Sequence, residues 1–166
     1  MSAPLIHIDE LQYTRDLKHG ERFEAKLAPV GSQIGARKLG YNVTVVPPGK
    51  RAFPFHNHHA NEEMFFVLEG EGLLRFGAEQ FIVRKGHFIA CPPGGAEVAH
   101  QFVNTGDGDL KYIAVSTTID TDIFQYPDSG KFGCVGGWRP GGSPPAATFS
   151  ARFVPESSEV DYWHGE

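Results

Sequence analysis

From residue 39 apolar and polar positions alternate: Leu39, Tyr41, Val43 and Val45 are separated by Gly40, Asn42 and Thr44. A repeat of two puts one set on a buried face, which predicts a strand in a half-buried sheet. Pro47-Pro48-Gly49 ends it, because neither proline offers a ladder N–H. Short apolar runs follow at 63–68, 73–76, 81–83, 87–91, 100–103 and 110–116. Each is bounded by turn chemistry, as in Glu69-Gly70-Glu71-Gly72, Lys85-Gly86 and Pro92-Pro93-Gly94-Gly95. Strands this closely spaced, with no helical period between them, predict an all-β barrel or sandwich.

Outside that block the pattern weakens. Residues 14–25 are polar, with Asp16, Lys18, His19, Glu21 and Glu24, and predict at most a short helix. Residues 133–145 are rich in Gly and Pro around Trp138 and read as an extended arm, a linker or a lid. Residues 146–154 suit one more strand. Tyr162 and Trp163 in the tail predict that it docks, on its own barrel or on a partner. One domain is expected: an N-terminal extension over 1–38 packing on the barrel, a barrel core over 39–117, and a C-terminal arm and tail over 118–166.

Composition narrows the function classes. A chain of 166 residues falls within the range of one domain, and 40% hydrophobic content with 13 Phe can build a core. The net charge is −5 and no Lys/Arg run stands out, which excludes the electrostatic footprint of a nucleic-acid binder. No apolar stretch is long enough to cross a bilayer, and the N-terminus lacks the basic start and apolar core of a signal peptide. Cys91 and Cys134 make no disulfide framework, so a cytoplasmic location is expected.

The chemistry concentrates between Gly49 and Gly70. On a strand His56 and His58 share a face while Asn57 and His59 point the other way. A short loop leads to Glu63, which can return a carboxylate to the same spot. Two imidazoles and a carboxylate converging suit a first-row transition metal; Mg or Ca would call for mostly oxygen ligands. The plainer reading is a set of hydrogen-bonded core residues, which would leave three buried polar groups poorly satisfied.

A second segment runs Gly86, Pro92, Gly94, His100, Asn104 as strand, turn and strand. With Gly49, His56, His58, Glu63 and Gly70 it resembles the paired motifs of the cupin superfamily, over residues 39–116. Two departures stand out. The spacer between Gly94 and His100 is longer than usual and contains Glu97, and His87 occupies a position often held by Asp. The resemblance implies a small antiparallel β-barrel (a double-stranded β-helix or jelly roll). It also implies one divalent transition metal held by His56, His58, Glu63 and His100, with two cis positions left for water, dioxygen or substrate. Fe, Mn, Ni, Co, Cu and Zn all accept such ligands. Tyr126-Pro127-Asp128 and the closing Asp161-Tyr162-Trp163 are similar to a group of small bacterial single-domain cupins, mostly uncharacterised.

Other residues carry two readings each. Phe65, Val67 and Phe102 share parity with the ligands and line an apolar pocket or simply fill a narrow barrel. Glu97 is a candidate general acid or base, or a solvated loop residue. Lys50 and Arg51 stand at the rim, facing an anionic substrate or solvent. His59 and His87 are placed on the surface, Cys91 in the core, and His7, His19 and His164 have no partner spacing. Met64, Phe66 and Leu68 on the opposite parity, with the long arm, predict a homodimer; alternatively they face a second layer of the same chain. The expected partners are a small-molecule substrate and a second copy, with neither nucleic acid nor membrane. A dioxygenase-type oxidoreductase is placed first. A non-redox isomerase, epimerase or lyase, such as a sugar-phosphate isomerase, is the alternative, and a binding protein without turnover the third.

Overall fold

The computed structural model describes residues 3–137 and 152–165, and among them regular structure is strand with short 3-10 turns. The strands are β1 Arg15–His19, β2 Phe23–Pro29, β3 Leu39–Val46, β4 Asn57–His58, β5 Glu63–Glu69, β6 Glu71–Phe76, β7 Glu79–Arg84, β8 Phe88–Cys91, β9 His100–Val103, β10 Leu110–Thr117, β11 Thr121–Tyr126, β12 Lys131–Gly136 and β13 Arg152–Pro155. They form three antiparallel sheets, ordered β1-β2-β3-β10-β5-β8, β13-β12-β11-β4 and β7-β6-β9. The strands expected over residues 39–116 are all present.

The stretch 14–25 corrects the sequence reading: it starts a β-hairpin. Ala25 and Leu27 are buried while Glu24 and Lys26 face out, so period-two burial overrides the local polarity. The edge strand β1 is charged, and Lys18 pairs across to Glu24 at 3.6 Å. The arm expected over 133–145 begins in β12, and β13 overlaps the end of the strand expected over 146–154; residues 138–151 lie outside the described residues.

Inward-facing side chains make one core: Leu27 and Val46, Phe65 and Val67, Leu74, Phe102, Leu110 and Tyr112. A smaller cluster of Leu11, Ala28 and Val43 lies on the outer face of the large sheet, with Leu68 and Ile113 against it. Leu68 thus meets a second layer of its own chain. Phe66 instead packs against Phe88, its ring tilted by 40° at 4.4 Å between centroids, and Phe88 is 74% exposed.

Two motif residues prove architectural. Gly70 has φ +78°, and a Cβ there would overlap the Asp109 carbonyl. Asn104 is fully buried; its Nδ2 donates to Val46 O at 2.7 Å and Gly108 O at 2.8 Å, pinning the turn between β9 and β10.

Candidate metal centre

His56 lies just before β4, where its backbone pairs with His100 at the start of β9: His56 N–H donates to His100 O at 3.2 Å and His100 N–H to His56 O at 2.8 Å. His58 ends β4 and Glu63 opens β5. Between the two histidines Asn57 turns the other way, fully buried, and its Nδ2 donates to Gly94 O at 2.8 Å. That bond ties the histidine strand to the Pro92–Gly95 turn.

The donor atoms of His56, His58 and Glu63 all lie within 4.8 Å of one another. His100 joins them through Glu63. Its Nε2 is 3.0 Å from Glu63 Oε2, against 3.5 Å for His58 Nε2 and 3.9 Å for His56 Nε2. Spacing pointed to His56, His58 and Glu63 and the resemblance added His100; the structure places all four side by side.

Hydrogen bonds on the far side of each ring set its direction. His56 Nδ1 lies 2.9 Å from Pro54 O, His58 Nδ1 2.6 Å from Asp122 Oδ2 and His100 Nδ1 3.3 Å from Val98 O. An acceptor at every Nδ1 suits the tautomer that would leave Nε2 free to bind a metal, while without a metal His100 Nε2 hydrogen-bonds Glu63 Oε2 at 3.0 Å. One carboxylate then stands opposite three imidazole nitrogens. This donor set, nitrogen-rich with a single negative charge, fits a first-row divalent metal.

The electrostatics follow from burial and crowding. Burial, then the neighbouring His100, lowers His56 from 6.5 to about 4. Burial raises Glu63, but the His100 hydrogen bond and the charges of His58 and His56 outweigh it and hold the carboxyl at about 2. Burial likewise raises Asp122, and the His58 and Asn61 hydrogen bonds outweigh it, leaving it at about 2. For His58, burial is outweighed by Asp122 and Glu63 and the ring is raised.

An acid sensitivity results. Between pH 6.5 and 4 the unfolded chain binds a proton at His56 that the folded chain refuses, so stability falls as pH falls through that window. Between about 4.5 and 2 the carboxylates of Glu63 and Asp122 add to the loss. The raised His58 acts oppositely, its contribution being full below 6.5 and lost as pH rises through its folded value. Thermal melts of chelated protein should show a midpoint that drops from pH 6.5 downward and most steeply below 4.5. A flat midpoint over that range would contradict the charge arrangement.

Several sequence expectations separate here. Phe65 and Phe102 do line a small cavity of about 10 Å³ next to His56 and His100, with Ala52, Phe53 and Tyr112, room for a single water. Val67 does not line it; it lies about 13 Å along β5 from Glu63, at the usual rise per residue, and fills the barrel. Glu97 is not at the centre. It is exposed on a 3-10 turn, where its carboxylate accepts the N–H of Gly95 at 2.8 Å. Backbone N–H groups of Glu97 itself and of Gly95 hold it below the usual carboxylate range.

Lys50 is tied to Glu21 O at 2.6 Å. His59 and His87 are exposed, as expected. Cys91 is buried and its thiol is raised by that burial, then by Glu63, consistent with a core residue.

What the sequence reading missed comes from β11. Alternate residues Asp122, Phe124 and Tyr126 face the histidines. Phe124 meets the His58 ring edge-on at 5.9 Å, and Tyr126 stacks on His56 at 6.0 Å. The turn after Tyr126 is fixed by Asp128, held in two bonds of 2.7 and 2.9 Å by Arg75. The period-two spacing of Asp122, Phe124 and Tyr126 is a weak signal, because Ile123 on the other face breaks the alternation of apolar and polar positions.

Residues 42–116 match the Cupin_2 family, described as the cupin domain. The chain carries a cupin domain. It is 36% identical over 85 residues to an uncharacterised protein of Methanocaldococcus jannaschii, covering 49% of this chain and 65% of that relative. The chain thus spans less than two thirds of that relative's length. Among solved structures the chain is similar to a sugar phosphate isomerase of a cupin superfamily from Silicibacter pomeroyi, with a TM-score of 0.75 and 20% identity, covering 93% and 94% of the two chains. It is also similar to a candidate sugar phosphate isomerase from Acidithiobacillus ferrooxidans, with a TM-score of 0.71 and 23% identity, covering 83% and 80%. At these identities the likeness to the two structures is one of fold. Among the described residues no helix is long and apolar enough to cross a membrane.

Proposed function

We propose that this cupin is a metal-dependent enzyme acting on a small organic molecule, with His56, His58, Glu63 and His100 holding one divalent transition metal, and that its reaction is of the dioxygenase type. The observation that carries the reading is the convergence of three imidazoles, each held from behind at Nδ1, on one carboxylate. Bound iron would supply redox exchange with dioxygen. The chain's own residues orient the ligands and wall them with Phe65, Phe124 and Tyr126, whose rings lie within about 6 Å of His100, His58 and His56. Oxygen chemistry ranks first because Glu97, the carboxylate the sequence offered for proton transfer, is used to cap Gly95.

A second reading, a non-redox isomerase, epimerase or lyase, is favoured by Tyr126. Burial pushes its phenol up to about 12, so a neutral proton donor sits against His56. Fold does not choose between the two, since one fold hosts many reactions.

Metal content by mass spectrometry, on protein purified without a histidine tag, tests both. Stoichiometric iron together with oxygen uptake on a substrate panel is the expected outcome. Zinc, nickel or manganese with oxygen-independent turnover of sugar phosphates would move the assignment to the second reading. Protein that takes up no metal after reconstitution would overturn the centre.

A further inference from the structure

We infer that Asp122 is a positioning residue of this metal centre, fixing the tautomer and aim of His58; the inference rests on the metal-centre reading above. His58 has one ring nitrogen on each side of the question. Nε2 faces Glu63 at 3.5 Å, and Nδ1 lies 2.6 Å from Asp122 Oδ2. Asp122 is 2% exposed, so its carboxylate depends on protein donors. Two of these are fixed without His58: Ala60 N–H donates to Oδ1 at 3.0 Å and Asn61 Nδ2 to Oδ2 at 2.7 Å.

Asn61 is itself held. Its Oδ1 accepts from Thr117 Oγ1 at 3.0 Å and from Ile119 N–H at 2.8 Å. The carboxylate is therefore placed by a network that would stand without the imidazole, and it dictates where the His58 proton goes. A carboxylate accepts only, so the bond requires Nδ1–H and leaves the Nε2 lone pair for a metal.

The contrast with the other two rings sharpens the point. His56 and His100 each lean on a backbone carbonyl two residues away, which no substitution removes. His58 alone leans on a side chain, and that side chain comes from β11, beyond the stretch that matches the cupin family. The strand that pairs with β4 at Phe124 and His58 thus also supplies the group that orients His58.

The rival account is that Asp122 only clasps the loop at Ala60 and Asn61. Asp122→Asn keeps the shape and an acceptor oxygen but loses the charge, and Asp122→Ala loses both. Zinc affinity, measured by competition with a chelating dye, is expected to fall roughly 10- to 100-fold, more for Ala than for Asn. The absorption spectrum of the cobalt-substituted protein should shift with it. An Asp122→Asn protein that is folded, binds zinc as tightly as the parent and shows an unchanged cobalt spectrum would overturn the inference.

Should both variants fail to fold, nitrogen NMR of histidines in the zinc-loaded parent decides. Nδ1–H at His58 upholds the inference and Nε2–H overturns it. A parent chain that binds no zinc would instead sink the metal-centre reading, a separate and recognisable failure.

Discussion

Glu63→Gln protein is expected to emerge from dialysis free of metal under conditions where the parent keeps a stoichiometric load. Glu63 is the one point that all three imidazoles share, at 3.0, 3.5 and 3.9 Å from its Oε2. Glutamine keeps the size but replaces an anionic oxygen with a neutral amide. The remaining imidazoles then carry no opposing charge, and divalent affinity drops most where a charge is lost from the ligand set itself. The fold should survive. Removing one partner of a buried ion pair is costly when the other stays charged, but burial already keeps the His56 ring neutral at neutral pH. Circular dichroism in chelator should therefore match the parent, while mass spectrometry finds no bound metal. Full occupancy in Glu63→Gln would place the ligand set elsewhere.

Of the four candidate ligands three were legible from local spacing, and His100 from the resemblance of its segment to the second cupin motif. His56, His58 and Glu63 lie within one strand–loop–strand unit, and His100 opens a strand after a Pro/Gly turn. The barrel strands were legible because one buried face writes a period of two into the sequence. Three parts were not. β1 has no buried face to reveal it: it is a charged edge, exposed at four of its five positions. In β11 apolar residues fall on both faces, with Ile123 exposed opposite Phe124, so no alternation stands out.

Asp122 was hidden for a different reason. Its carboxylate partners a histidine 64 residues earlier in the chain, and no local pattern encodes that meeting. Glu97 in the longer spacer keeps two readings from sequence, a second acid or a solvated loop residue, because its side chain cannot be aimed from sequence alone. The chain instead folds it back on the N–H of Gly95, two residues away.

Beneath the centre, Phe102→Ala is expected to remove a large part of the barrel's stability. The ring is 5% exposed and stacks on Tyr112 at 4.8 Å between centroids and 24° between planes; Phe65 lies 4.9 Å away and in turn sits 5.4 Å from His100. Deleting a buried phenylalanine costs about 3–5 kcal/mol, the transfer energy of the ring plus the cavity it leaves. The site already borders a void of about 10 Å³, so truncation enlarges an existing gap. Neighbouring strands pinned by ladder hydrogen bonds have little freedom to close over it. Urea unfolding must be followed in chelator, because bound metal would add its own linkage energy and mask the difference. Phe88→Ala provides the comparison. That ring is 74% exposed on the outer face, and its loss should shift stability by no more than about 0.5 kcal/mol. If the two substitutions cost the same, the aromatic stack under His100 is not what holds the barrel together, and the rigidity assumed for that ligand would lose its physical basis.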